Sequence, residues 1–125
     1  MRYLILIIFF GILLVASELR IEHDFSTAIQ KAKSQDKEVM MIYSAVWCPE
    51  CEYMKEVVLK DKEVVNYVQK RYIVLILDIQ KDKLPKEYNY IGIPTFFFID
   101  KNRKEKNKII GGDKATKFLK KLKNL

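Results

Sequence analysis

The sequence predicts an α/β fold: a mixed sheet of four strands, with room for a fifth, flanked by helices on both faces. Three observations predict it. Short apolar runs at 39–46, 72–79 and 93–99 read as buried strands. Helical periodicity fills the gap between the first two, so those strands are joined by a crossover and run parallel. The third run is followed, after a polar turn at Asp100-Lys101-Asn102, by a short apolar return at Lys108–Ile110, so the closing pair is antiparallel.

Each element has its own warrant. Met1-Arg2 is a short basic start, Tyr3 to Ala16 is almost wholly apolar, and Val15-Ala16-Ser17 supplies small residues. That order is the pattern of a secretory signal peptide over residues 1–17. An uncleaved anchor is the alternative, although a span needs about 20 apolar residues and Glu18 and Arg20 end this run early. Residues 18–125 then form one domain, long enough to bury a core. Asp24 is placed to cap a first helix, with Phe25, Ala28, Ile29 and Ala32 at helical spacing and a stop near Ser34. Val39 to Val46 is the first long strand. Trp47-Cys48-Pro49-Glu50-Cys51 opens a helix, with Pro49 suited to its first turn and Tyr53, Met54, Val57 and Val58 on its apolar face. Asp61 restarts a helix through Val64, Val65 and Val68, and Tyr72 to Ile79 follows as a strand. After a turn around Leu84–Asn89 comes Ile93–Ile99, with Pro94 at its start, where proline costs no ladder bond. Gly111-Gly112 breaks the chain. Asp113 is placed to cap a last helix, with Ala115, Phe118, Leu119, Leu122 and Leu125 on one face.

Composition narrows the function. The 125 residues carry a formal charge of +7, from 23 basic and 16 acidic side chains, and only seven Gly and Pro together. Disorder and low-complexity classes are excluded. The lysines are spread along the chain and alternate with acids, with the densest group, Lys101 to Lys108, reading as an exposed turn. The charge therefore reads as a soluble surface and not as a nucleic-acid site. The last helix carries Lys114, Lys117, Lys120, Lys121 and Lys123 opposite its apolar stripe, the pattern of a docked helix with a solvated basic face, with a membrane-surface helix as the alternative.

The chemistry lies in the two cysteines, Cys48 and Cys51, the only ones in the chain. A strand delivers Cys48 to a helix N-terminus, where backbone N–H groups and the helix dipole favour a thiolate. Cys51 lies one turn on, close enough to close a disulfide. The first sulfur can then attack, and the second can resolve the mixed disulfide. Other chemistries share the spacing. The pair is half of a zinc site, but the only histidine, His23, falls at the first helix and reads as a surface residue. It also suits Cu(I) in a metal carrier, or an inert structural disulfide. Asp78 reads as a strand-end polar residue, and Phe96 to Phe98 as buried strand.

Trp47-Cys48-Pro49-Glu50-Cys51 after an apolar strand, with Gly92-Ile93-Pro94-Thr95 about 45 residues later, resembles the thioredoxin superfamily. The likeness spans nearly all of 18–125 and is strongest to exported single-domain thioredoxin-like proteins and to the soluble domain of membrane thiol-disulfide reductases. It implies a thioredoxin-like fold and a thiol-disulfide oxidoreductase with catalytic Cys48 and Cys51. It implies a cis Pro94 against the cysteines, an Ile93 backbone that pairs with substrate, and Trp47 as a lid. It also implies a close backbone approach at Gly111 or Gly112. Pro49 and Glu50 would tune the site. Exchange needs no metal or organic cofactor. The implied partners are protein disulfides and dithiols and a membrane thiol-disulfide electron donor or acceptor, met by a monomer in the periplasm or another extracytoplasmic space. Two departures stand out. Ile42 occupies the place, six residues before Cys48, where thioredoxins carry a buried acid. The anionic Glu50 beside the sulfurs should raise the Cys48 pKa and favour the disulfide form, which points toward a reductant. The rival reading is a copper carrier or a non-catalytic binding module on the same fold.

Overall fold

A computed structural model describes residues 18–125. The proposed signal segment, 1–17, lies outside the described residues. The order is β1 (Ile21–Glu22), α1 (Phe25–Gln35), β2 (Glu38–Ser44), α2 (Pro49–Glu56), a 3-10 turn (Val58–Lys60), α3 (Lys62–Arg71), β3 (Tyr72–Asp78), β4 (Thr95–Ile99), β5 (Glu105–Ile110) and α4 (Ala115–Lys123). The five strands lie in the order β1-β3-β2-β4-β5, with β1, β3 and β2 parallel and the β2–β4 and β4–β5 pairs antiparallel. The α/β class with a mixed sheet is therefore as the sequence indicates, and the fifth strand is the two-residue β1 at one edge.

Alternation along the strands builds two cores. Met40, Ile42, Val74, Phe96 and Phe98 face one side, where Met54, Val64, Val68 and Phe118 cover them from α2, α3 and α4. Val39, Met41, Tyr43, Leu75 and Phe97 face the other, under Ala28, Ile29 and Ala32 of α1. Both faces are covered, so β2 and β3 read as unbroken apolar runs, not as alternating ones. Helices α1 and α3 start on carboxylate caps. Asp24 accepts the Thr27 N–H at 2.9 Å and Asp61 accepts the N–H groups of Glu63 and Val64.

Four boundaries differ from the sequence expectation. β2 stops at Ser44, not Val46, because the chain turns at Ala45–Trp47 to aim Cys48; Val46 is exposed. β4 starts at Thr95, not Ile93, after a cis Ile93–Pro94 peptide bond. β5 starts at Glu105, so half of the lysine-rich group at 101–108 is strand and not turn. It is an edge strand whose solvent-facing lysines hide its periodicity. Asp113 does not cap α4. The cap position is Lys114, which makes no side-chain bond, while Asp113 pairs with Lys121 at 3.2 Å.

Phe118 is fully buried and lies against Phe96, with ring centroids 4.9 Å apart. Phe118→Ala should lower the unfolding free energy by about 3–5 kcal/mol in denaturant titration, whereas Lys117→Ala should stay within about 0.5 kcal/mol. Burial pushes the phenols of Tyr43, Tyr72 and Tyr88 up to about 12. An unfolded tyrosine ionises near pH 10, so the stability these groups lend is complete below about pH 10 and is lost as pH rises toward 12. Phenolate absorbance should therefore show three of the seven tyrosines ionising only as the fold is lost.

Candidate functional site

The site forms where β2 ends. Cys48 N–H donates to Ala45 O at 3.2 Å, which closes the turn out of the strand. Cys48 is then the N-cap of α2, and Pro49 takes the first helical position, where a missing N–H costs nothing. The Cys51 N–H donates to Cys48 Sγ at 3.2 Å. Cys48 and Cys51 are joined in a disulfide with their Cα atoms 5.2 Å apart. Cys48 is 6% exposed and Cys51 2%, so the first sulfur is the more accessible of a sheltered pair. In the dithiol form the cap position lets the helix N-terminus favour the Cys48 thiolate.

The remaining site residues surround this pair. Ile93 packs with Ile79 against the cluster of Ala45, Cys48 and Cys51. Pro94 is buried beyond it, and its carbonyl accepts the Gly111 N–H at 2.8 Å. The next N–H, of Gly112, donates to Glu50 Oε1 at 2.8 Å. A Cβ at Gly112 would come within 2.9 Å of Glu50 Cγ and 3.1 Å of Met54 Cγ, so the glycine permits the close approach. One chain of bonds thus links the cis-proline segment, the two glycines and the residue between the cysteines. Trp47 is 58% exposed, and its indole N–H donates to Gln80 Oε1 at 3.0 Å. The tie to Gln80 holds the ring toward the loop that follows β3.

Electrostatics at the rim are modest. Asp78 is held below the usual carboxylate range, first by the Gln80 N–H and also by those of Lys81 and Val46. It organises the loop that carries Gln80. Ile42 is buried in the apolar core, so no titratable side chain stands at that place. Among the described residues no group of three or more His, Cys, Asp or Glu side chains is arranged to hold a metal ion. His23 lies in a cleft of about 630 Å³ beside Asp24 and Asp82, lined by neither cysteine.

Sequence reasoning expected the close approach at Gly111 or Gly112 but not its partner, and it missed Gln80 and Ile91. Gln80 and Gly112 act through partners 33 and 62 residues away, which no local pattern records. Ile91 is 90% exposed and Tyr90 partly so, just before Gly92-Ile93-Pro94. An apolar residue inside an otherwise polar loop was the available signal.

A family model described as a thioredoxin-like domain matches residues 25–125. The thiol:disulfide interchange protein DsbD of Campylobacter jejuni is 30% identical over 105 residues, covering 80% of this chain and 18% of that protein. The chain thus spans less than a fifth of the length of that curated relative. A thioredoxin from Thermus thermophilus superposes with a TM-score of 0.73 at 26% identity, over 86% of each chain. The oxidised C-terminal domain of Neisseria meningitidis DsbD gives a TM-score of 0.68 at 24% identity, over 84% of this chain and 98% of that one, and shares the fold. With a Cys-X-X-Cys disulfide at the head of α2, the chain belongs to the thioredoxin-like domain family.

Proposed function

We propose that the chain exchanges disulfides with protein substrates in an exported compartment and works mainly as a reductant. The observation that carries this reading is the Cys48–Cys51 disulfide at the N-terminus of α2, with Ile93 packed against it and Trp47 and Ile91 exposed nearby. In the dithiol form the Cys48 thiolate attacks one sulfur of a substrate disulfide and forms a mixed disulfide; the other substrate sulfur leaves as a thiolate and takes up a proton. Cys51, deprotonated, attacks Cys48 Sγ, closes the internal disulfide and releases the second substrate thiol. Two electrons pass to the substrate, and a partner dithiol must return them. Pro94 and Ile93 shape the contact with substrate, Trp47 shelters it, and Pro49 and Glu50 tune the pair.

The compartment rests on the signal-like segment at 1–17 and on the similarity to an interchange protein. A membrane thiol-disulfide protein is the proposed electron partner. The direction rests on Glu50. Its carboxylate opposes a thiolate two residues away and so favours the disulfide over the dithiol, although its bond to the Gly112 N–H takes up part of that charge.

Cys48→Ser should reduce insulin disulfides no faster than the uncatalysed reaction. Cys51→Ala should accumulate mixed disulfides with proteins of the native host, and a variant that traps nothing there would remove the exchange reading. The reduction potential of the pair, followed by Trp47 fluorescence, should fall near about −270 mV; a value between about −180 and −120 mV would make it an oxidase or isomerase. Glu50→His should lower the Cys48 pKa and raise the potential by about 30 mV or more, and an unchanged potential would discard the role given to Glu50.

A further inference from the structure

The end of the molecule away from the disulfide has a chemistry that exchange does not use. β2 and β3 run parallel toward the disulfide, so their first residues, Glu38 and Tyr72, mark the opposite pole. Helices α1, α3 and α4 all finish there. Their last turns carry Lys33, then Lys70 and Arg71, then Lys120, Lys121 and Lys123. A depression of about 460 Å³ opens between the last turns of α3 and α4 and the start of β5. Lys37, Lys70, Arg71 and Lys106 line it, above apolar Phe98, Leu122 and Leu125. A second depression, of about 380 Å³, adjoins it; it shares Tyr67, Lys70 and Arg71 and adds Lys123.

Three acids line the two depressions: Glu63, at the start of α3, lies in the smaller one, and the other two are already engaged. Asp36 pairs with Lys101 at 2.8 Å, and Glu38 with Lys106 at 3.5 Å. Lys37 Nζ donates to the carbonyl of Gln69, and Arg71 to that of Tyr67, so both keep their charge uncompensated by a carboxylate. Arg71 also lies over the Tyr67 ring, 3.8 Å from its centroid. Leu125 is 45% exposed at the rim. Cations around an apolar floor, with a phenol between them, match the boundary of a bilayer, where phosphate sits above the first methylenes. β1 runs parallel to β3, so the chain reaches its first element from this same side, downstream of the apolar run at 3–16.

We propose that this basic pole docks on the anionic phospholipid headgroups of a membrane. The seven residues of β2 then hold the disulfide about 23 Å further from the headgroups, facing partners that arrive through water. The proposal stands apart from the exchange reading, since no residue of the pole touches the cysteines.

The test acylates lysines with a membrane-impermeant reagent on the full chain reconstituted in vesicles. On phosphatidylglycerol-containing vesicles, Lys33, Lys70, Lys106 and Lys123 should react at least about three-fold more slowly than on purely zwitterionic vesicles. The protection should vanish at about 0.5 M salt, where the Debye length falls to a few ångströms. Lys81, Lys83 and Lys86, in the loop at the disulfide end, should react equally on both. Replacing Lys70, Arg71 and Lys123 together by glutamate should abolish the protection while insulin reduction in solution stays unchanged. Equal reactivity of the two poles, or protection that persists on zwitterionic vesicles, would overturn the proposal. So would protection by inorganic phosphate alone, which would make the ligand a free anion.

Discussion

β2 is the constraint on which the rest depends. It is the central strand, bonded along one edge to β3 and along the other to β4, and its residues are buried on both faces. A slip of one residue would exchange Met40 and Ile42 with Val39 and Met41 between two differently shaped cores, so the register is strongly specified. The strand therefore ends at one place, and the turn after Ser44 delivers Cys48 to the N-cap of α2 with little freedom. The reactive sulfur inherits the rigidity of the sheet. No loop has to hold it.

The same parallel wiring polarises the molecule. The crossovers between parallel strands return α1 and α3 antiparallel to the strands they connect. Helices α1 and α2 begin at the disulfide end, while α1, α3 and α4 finish at the far end. Helix dipoles then place partial positive charge near Cys48 and partial negative charge at the opposite pole. Lysines and arginines in the last turns answer that negative charge locally, and three helices doing so side by side make one basic surface. A net charge of +7 that looks evenly spread along the sequence is thus concentrated by topology.

How much of this the sequence discloses depends on the range of the interaction. Strands buried on both faces are legible, because Val39–Tyr43, Tyr72–Leu77 and Phe96–Ile99 must be apolar throughout. The cysteine pair is legible because helix geometry ties an offset of three residues to one turn. The start of β5 is not: its side chains face water, so the strand has no apolar rhythm before Ile109. The role of Asp113 misleads for a related reason. An acid before a helix resembles a cap, but here the carboxylate turns to Lys121 and its own N–H reaches Met54 Sδ at 3.4 Å. The partners of Glu50 and Trp47 are set by where two distant loops meet, which only the folded chain reveals.

The apolar residue at position 42 has a physical consequence for how the two sulfurs divide their work. Ile42 stands in register with Ile76 on one side and Phe96 on the other, and a carboxylate there would be stripped of water with no partner to compensate it. The hydrocarbon keeps that core continuous. It also leaves Cys51 in apolar company, with Ala45, Ile79 and Ile93 around the pair. Apolar surroundings raise a thiol pKa, while the helix N-terminus lowers that of the capping sulfur. Under the proposed exchange Cys51 therefore stays a thiol while Cys48 attacks. Once the mixed disulfide has formed it must lose its proton to water, because among the described residues no buried base is placed to accept it. Asymmetry between two chemically identical residues then follows from burial and the helix alone.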